Sequence, residues 1–361
     1  MIKPLIKSVC FTEKWLKNNA KLFSADPVLL EKTVHAFALL GYLVQIEENF
    51  VFKGGTSLLL YVPQIKRLSI DIDIILDGDI DSFIQKLADI SKNIPFMNFE
   101  ENKRGNIGLP NRRHFKFFYN SSLSNKEESI LLDIVSEDTV YIPFTKFRQI
   151  KSDLFEIETE LEVKIPTIEG LLGDKLTAFA PHTIGVPFIT AKGDSMTMQV
   201  VKQLYDIGEL FDVATEFDKI TTAFTATFEK ENEYRGNKFT KAQVLQNAID
   251  TCLALLQIRL KGFKSNKISN YLEEGIRKID SHLLNDNFKT DEKAKITASK
   301  VFCIANHIFN NKTFDLIAER YGKSKIWQIK NIKISEPYER FNRLKPVLPE
   351  AFYYVWQGIK K

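Results

Sequence analysis

The chain has little with which to staple itself together or span a membrane. Its three cysteines, Cys10, Cys252 and Cys303, are odd in number, far apart and without metal-ligand spacing. That pattern excludes a disulfide framework and points to reduced thiols. No apolar run approaches the roughly 20 residues of a transmembrane helix, and the N-terminus MIKPLIKSVCFTEKWLKNN lacks the apolar stretch and cleavage site of a signal peptide. A cytoplasmic protein without membrane contact is expected. GxGxxG is absent and no Gly-Lys-Ser/Thr follows Gly54-Gly55 at phosphate-loop spacing, which excludes a dinucleotide-binding Rossmann domain and a P-loop NTPase at that turn. The five histidines, His35, His114, His182, His282 and His307, show no metal-ligand pairing. His35 reads as a packed residue of the first long helix. There is no internal repeat and no low-complexity segment.

What is present is an ordinary globular composition, 44% hydrophobic and 27% charged over 361 residues, enough for two domains. The 28 phenylalanines read mostly as core. The net charge of +4 conceals an asymmetry. From Arg259 to the end there are 21 basic and 11 acidic residues, against 29 and 35 in the rest. An acidic front and a basic rear suit an enzyme acting on a polyanion; solvated helix faces are the plainer explanation.

Apolar residues Leu30, Val34, Phe37, Leu40 and Val44 recur at helical spacing and predict a helix over Pro27 to Glu48. Ser69 to Leu76 reads as a strand and Ile80 to Ser91 as an amphipathic helix. Arg113–Asn120 and Ser129–Ser136 read as strands of a hairpin. Beyond Pro166 the period becomes helical, with helices over Ile168–Phe179, around Val200–Phe211, and over Ala242–Leu260, Ala294–Phe309 and Phe314–Arg320. Loops are expected at His182–Asp194 and Gly262–Asn266. The fold class is therefore α+β: a mixed sheet with helices, followed by a mainly helical domain.

The chemistry-bearing stretch is VFKGGTSLLLYVPQIKRLSIDID, Val51 to Asp73. The pair Gly54-Gly55 lets the backbone come close to a polyphosphate, and Thr56 and Ser57 can donate to it. Asp71 and Asp73, one residue apart on a strand, share a face. Ser69 lies on that face too, and Arg67 could clamp a phosphate or pair with an aspartate. Asp133 stands among apolar neighbours on its strand, where a carboxylate is costly unless paired or bound to a cation, and is the third candidate carboxylate. Paired carboxylates can hold Mg²⁺, or Mn²⁺ in its place, against nucleotide phosphates.

KGGTSL followed by RLSIDID resembles the AbiEii/AbiGii toxin family of the polymerase-beta-type nucleotidyltransferases. The likeness continues in GDKLTAF, where Lys175 stands at the family's lysine, and in KQLYDIGEL, similar to a segment written R/K-Asp-x-x-Asp-Leu. There Lys202 and Asp206 match, while Gln203 replaces the first aspartate and Ile207 the leucine. The resemblance implies a nucleotidyltransferase domain over residues 1–160, and a helical domain over 161–361 that completes the nucleotide site and binds the acceptor. It implies an NTP substrate, metal at Asp71, Asp73 and Asp133, and catalytic roles for these with Lys175 and Asp206. Gly54, Gly55, Thr56, Ser57, Arg67, Ser69, Lys175 and Lys202 would bind nucleotide.

The expected activity is transfer of a nucleoside monophosphate from an NTP, with release of pyrophosphate, by the toxin of a toxin–antitoxin or abortive phage-infection system. The tRNA 3′ end is the expected acceptor and a cognate antitoxin the expected partner. AMPylation-type transfer to a protein hydroxyl is the alternative enzyme, and a non-catalytic nucleotide-binding module the alternative of another class. Lys175, as a solvated helix lysine, would matter little to stability. Trp327, among Lys323, Lys325 and Lys330, could stack on an exposed base or be buried.

Overall fold

The computed structural model describes residues 2–47, 49–61, 66–102, 111–137 and 142–360. Two compact units divide the chain, Met1–Thr167 with Ser281–Asp286, and Ile168–Asp280 with Asn287–Lys361.

In the first unit, α1 (Glu13–Phe23) precedes α2 (Pro27–Ile46), whose entry is fixed by Pro27 and by Asp26. The Asp26 carboxylate accepts from the N–H groups of Val28 (2.8 Å) and Leu29 (3.0 Å), which have no intrahelical partner. Glu48, the expected end of this helix, lies outside the described residues. With 20 residues and a mean hydropathy of 1.3, α2 has the length and composition to cross a bilayer, contrary to the expectation that no run does. Its apolar side chains are spent on the core instead, where Leu30, Val34, Phe37 and Leu40 are buried.

Strand β1 (Phe50–Lys53) leads into the single turn α3 (Gly54–Ser57), continued as a 3-10 turn to Tyr61. Then come β2 (Ile72–Asp77), α4 (Ile80–Ile90), β3 (Phe96–Glu101), β4 (Asn111–Asn120) and β5 (Glu127–Glu137). The sheet order is β1-β2-β5-β4-β3, with β2 and β5 parallel and the other neighbours antiparallel. A separate ribbon joins β6 (Thr145–Gln149) to β7 (Glu162–Pro166). Alternation gives the main sheet two unlike faces. Phe52, Ile72, Ile74, Phe115, Phe117, Ile130, Leu132 and Ile134 share one buried cluster with the apolar residues of α2 and α4. On the other face, of opposite parity, Asp73 and Asp133 are half-buried while Val51 and Ile75 are buried.

The second unit consists of α5 (Ile168–Ala178), α6 (Thr197–Phe211), α7 (Phe217–Glu233), α8 (Lys241–Gln257), α9 (Lys267–Ile279), α10 (Lys295–Phe309), α11 (Lys323–Ile329) and α12 (Pro349–Ile359). Buried along nearly its whole length, α10 packs against α6, α8 and α12. The expected helix at Phe314–Arg320 is absent. Asp315 caps one turn through the N–H groups of Ile317 and Ala318, and the Tyr321 N–H is then taken by the Tyr354 hydroxyl, so the helix does not propagate. The expected loops at 182–194 and 262–266 are present.

His35 is a packed residue, stacked on Tyr119 at 3.6 Å with Nδ1 donating to the Glu31 carbonyl (2.8 Å). Burial pulls its pKa down to about 4. Its neutral form is the one the fold accepts, so its contribution is complete above pH 6.5 and is lost as pH falls from 6.5 towards 4. Urea titrations should show the stability gap between wild type and His35→Phe shrinking by about 3 kcal/mol over that window. A gap independent of pH would show that His35 does not couple folding to protons.

Candidate active site

The site is built on one row of the sheet. Lys53 pairs with Asp73 between β1 and β2, Asp73 with Asp133 between β2 and β5, and Asp133 with His114 between β5 and β4. Register partners point to the same face, so the order across the sheet is a cation, two carboxylates and an imidazole. The His114 Nδ1–H donates to Asp133 Oδ1 at 2.7 Å. This bond orients Asp133 and leaves its second oxygen for another ligand. Neither His114 nor Lys53 was foreseen as a site residue. The signal for His114 was its place on the polar parity of an otherwise aromatic strand; Lys53 was visible only as the residue preceding the glycines.

The glycine turn sits against the same carboxylates. Gly54 has φ +77°, and a Cβ there would collide with the Asp73 carboxylate. A Cβ on Gly55 would lie 2.7 Å from Arg67 Nη2 and 2.8 Å from Ser69 Oγ. Only a glycine pair lets the turn close on Asp73, Arg67 and Ser69 together. The hydroxyls next to it are already used. Thr56 Oγ1 donates to the Asp71 carbonyl (2.5 Å) and Ser57 Oγ to the Gly54 carbonyl (2.9 Å), and both residues are fully buried. They shape the turn rather than face outward.

Strand β2 begins at Ile72, so Ser69 and Asp71 lie before it rather than in it. The burial pattern, half-buried Asp71, buried Ile72 and half-buried Asp73, keeps both aspartates on one side. Thr33 of α2 donates to the Ser69 carbonyl at 3.1 Å and anchors the approach. Arg67 is buried and donates to the Leu68 carbonyl (3.0 Å). Its segment is paired with a distant return of the chain: the Leu68 N–H bonds the His282 carbonyl, and the Leu284 N–H bonds the Lys66 carbonyl, both at 2.7 Å. Residues Ser281–Asp286 thus complete the first unit, a contribution that no sequence pattern announced.

Among the described residues no three His, Cys, Asp or Glu side chains form a ready-made metal cluster. The site nonetheless fits Mg²⁺, which keeps several waters and is typically held by one or two carboxylates together with substrate phosphates. Asp73 and Asp133 are adjacent hard-oxygen donors on one face, and the lack of a Cβ at Gly54 lets the turn backbone close directly on the Asp73 carboxylate.

In the second unit Lys175 (α5) and Asp206 (α6) form an ion pair at 2.9 Å, with 6% and 0% of the side chains exposed. The solvated lysine expected from sequence is a buried, paired one. Lys202, one helical turn before Asp206, is half-buried. In the basic C-terminal segment Trp327 is 74% exposed, with the Lys330 ammonium over its ring. Lys325 is not free: it pairs with Glu319 (3.0 Å), which also accepts from Tyr353 and Gln357.

The family model described as "Nucleotidyl transferase AbiEii toxin, Type IV TA system" matches residues 38–298. No curated protein matches the chain. Among solved structures, the chain is similar to the MenT4 nucleotidyltransferase toxin of Mycobacterium tuberculosis, at 11% identity and TM-score 0.46 over 94% of this chain and 98% of that one. It is also similar to a putative nucleotidyltransferase from H. pylori, at 15% identity and TM-score 0.42 over 81% and 97%. A nucleotidyltransferase-like protein of Paracoccidioides brasiliensis gives 12% identity and TM-score 0.36 over 57% and 91%.

Two expectations follow from the geometry. Lys175→Ala strands a buried carboxylate and should lower unfolding free energy by about 3–5 kcal/mol, with Lys175→Ala/Asp206→Ala recovering part of the loss. Equal melting temperatures for Lys175→Ala and wild type would refute the buried pair. Gly54→Ala should abolish activity while the thermal melt stays cooperative, since the added methyl displaces the half-buried Asp73 on the polar face of the sheet and not a side chain of the apolar core.

Proposed function

Since the chain belongs to the AbiEii family of nucleotidyl transferase toxins, we propose that it transfers a nucleoside monophosphate from an NTP to a hydroxyl at the 3′ end of tRNA in the cytoplasm, with Mg²⁺, under the control of a cognate antitoxin. The observation that carries this reading is the pairing of Asp73 with Asp133 on adjacent parallel strands, directly beside a glycine turn that admits no side chain. Two carboxylates in one row repel each other, and a divalent cation with a triphosphate is the ligand that turns this repulsion into binding.

The acceptor hydroxyl attacks the α-phosphorus, the bond from the α-phosphorus to the bridging oxygen breaks, and pyrophosphate leaves. Mg²⁺, when bound, neutralises charge on the phosphates and leaving group. Asp71 and Asp73 would hold the cation, and Asp133, beside them, would take the proton of the acceptor hydroxyl. His114 holds Asp133 in the orientation that this needs. The triphosphate is received by the Cβ-free backbone at Gly54 and Gly55, with Arg67 and Ser69 beside it; the Thr56 and Ser57 hydroxyls maintain the turn. Lys175, and Lys202 on the next helix, are assigned to phosphate, which at Lys175 exchanges with the Asp206 carboxylate. The basic second unit is assigned to the polyanionic acceptor.

Incubation with each α-phosphate-labelled NTP and total RNA tests the reading. Label should enter the tRNA fraction, depend on a divalent cation, and fall by orders of magnitude in Asp71→Ala and Asp73→Ala. His114→Ala should lower kcat far more than it raises KM for the NTP, as expected of a positioning residue. Label on protein would replace tRNA by a protein hydroxyl as acceptor, and wild-type turnover by Asp73→Ala would end the proposal.

A further inference from the structure

The positive surplus of the second unit is not spread evenly. Several of its cations are neutralised on the spot: Arg259 by Asp291 and Glu273, Lys293 by Glu209, Lys295 by Asp291, Lys300 by Asp212 and Glu350. One cluster is not. At the end of α8 the chain turns through Leu260–Gly262, where Gly262 has φ +83° and the Phe263 N–H closes on the Leu260 carbonyl (2.9 Å). Facing this turn is the 3-10 helix Glu339–Leu344, which presents Arg340 and Arg343 one turn apart on the same side. Between them lies a cleft of about 200 Å³, lined by Gln257, Lys261, Phe263, Arg340 and Arg343 with Leu260 and Gly262. No aspartate or glutamate lines it, and no carboxylate among the described residues pairs with Lys261, Arg340 or Arg343.

Three cations around one cleft repel each other, so their arrangement needs support. Arg340 Nη1 donates to Gln257 Oε1 at 3.0 Å, and Arg343 Nη1 donates to the Lys261 carbonyl. Each guanidinium spends one of its five N–H donors on the fold and keeps the others, in a planar fork that matches phosphate oxygens. Phe263 adds an apolar surface on which a ribose or base can rest. The volume equals that of roughly half a dozen waters, room for one phosphodiester and part of its sugar. Lys345, two residues beyond Arg343, donates to the carbonyls of Ile329, Lys330 and Ile332, and so ties the end of α11, with its exposed Trp327, to the same turn.

We propose that this cleft is a phosphate-binding site that holds the sugar–phosphate backbone of an RNA strand. The inference deepens the reading of an RNA acceptor and rests on it for the identity of the strand. Both guanidinium-bearing residues are exposed and the aromatic lies alongside, an arrangement suited to a continuous chain that enters and leaves the cleft.

The test is fluorescence anisotropy with a short labelled oligouridylate, without NTP or divalent cation. Wild type should bind with an affinity that falls steeply with salt. Arg340→Ala/Arg343→Ala should weaken binding by about tenfold or more and reduce the log–log salt slope by roughly 1.4, the share of two phosphates on a single strand. Lys261→Glu, at a side chain that makes no hydrogen bond among the described residues, should weaken binding in the same direction and controls for folding defects in the double variant. Asp73→Ala should bind the oligonucleotide as wild type does. Unchanged affinity and slope in both cleft variants would overturn the proposal. So would cleft-dependent binding of ATP or inorganic phosphate with no cleft-dependent binding of the oligonucleotide, since the site would then serve a free phosphate. Label transfer to protein with cleft-dependent RNA binding intact would remove the RNA-acceptor reading and leave the cleft standing.

Discussion

Parallel pairing of β2 with β5 forces two aspartates to be neighbours, and much of the first unit is arranged around that fact. Adjacent strands lie about 4.8 Å apart, and two carboxylates at that distance repel by on the order of 3 kcal/mol at an effective dielectric of 20. The sheet holds them there because its other face is anchored: Ile72, Ile74, Leu132 and Ile134 are buried under α2 and α4. A one-residue slip of either strand would turn those side chains out and the carboxylates in. Lys53 on one side and His114 on the other bracket the pair, so each carboxylate has an N–H-bearing side chain as its outer neighbour in the row.

The glycine turn and the aspartate pair are one device. Gly54 is required by the Asp73 carboxylate as much as by its own φ, and Gly55 by the close approach of Arg67 and Ser69. Thr56 and Ser57 read from sequence as outward donors to phosphate, yet both hydroxyls bond to carbonyls of the turn and of the strand approach. A short polar side chain near the backbone competes for local acceptors, and in a buried turn local acceptors win. The return segment Ser281–Asp286 has a comparable supporting role, since its backbone bonds fix the stretch that carries Arg67.

The second unit uses its charges in two ways. Lys175–Asp206 is a buried pair, and the buried Lys300 reaches the exposed Asp212 and the half-buried Glu350; both arrangements tie helices together. Removing one member of such a pair is more damaging than never having made it. Arg340 and Arg343 are held by neutral acceptors, and with Lys261 they keep their charge for a ligand. Counting lysines and arginines along the chain gives the same weight to both kinds. Lys325, which looked like part of a basic stripe, belongs to the first.

Local pattern by itself determined a good deal. Alternation over β2, β4 and β5, helical spacing over α2, α4, α5, α6 and α10, and the glycine turn ahead of Asp71 and Asp73 were legible because each depends on residues a few positions apart. The family likeness rested on those same segments. Tertiary structure alone decided what depends on register and long closure. His114 faces Asp133 only because the hairpin pairs Asn120 with Glu127; a shift by two residues would give it Val135 instead. Lys175 meets Asp206 across 31 positions, and Arg340 meets Gln257 across 83. Such partners are chosen by the packing of whole elements, so no window of sequence contains them.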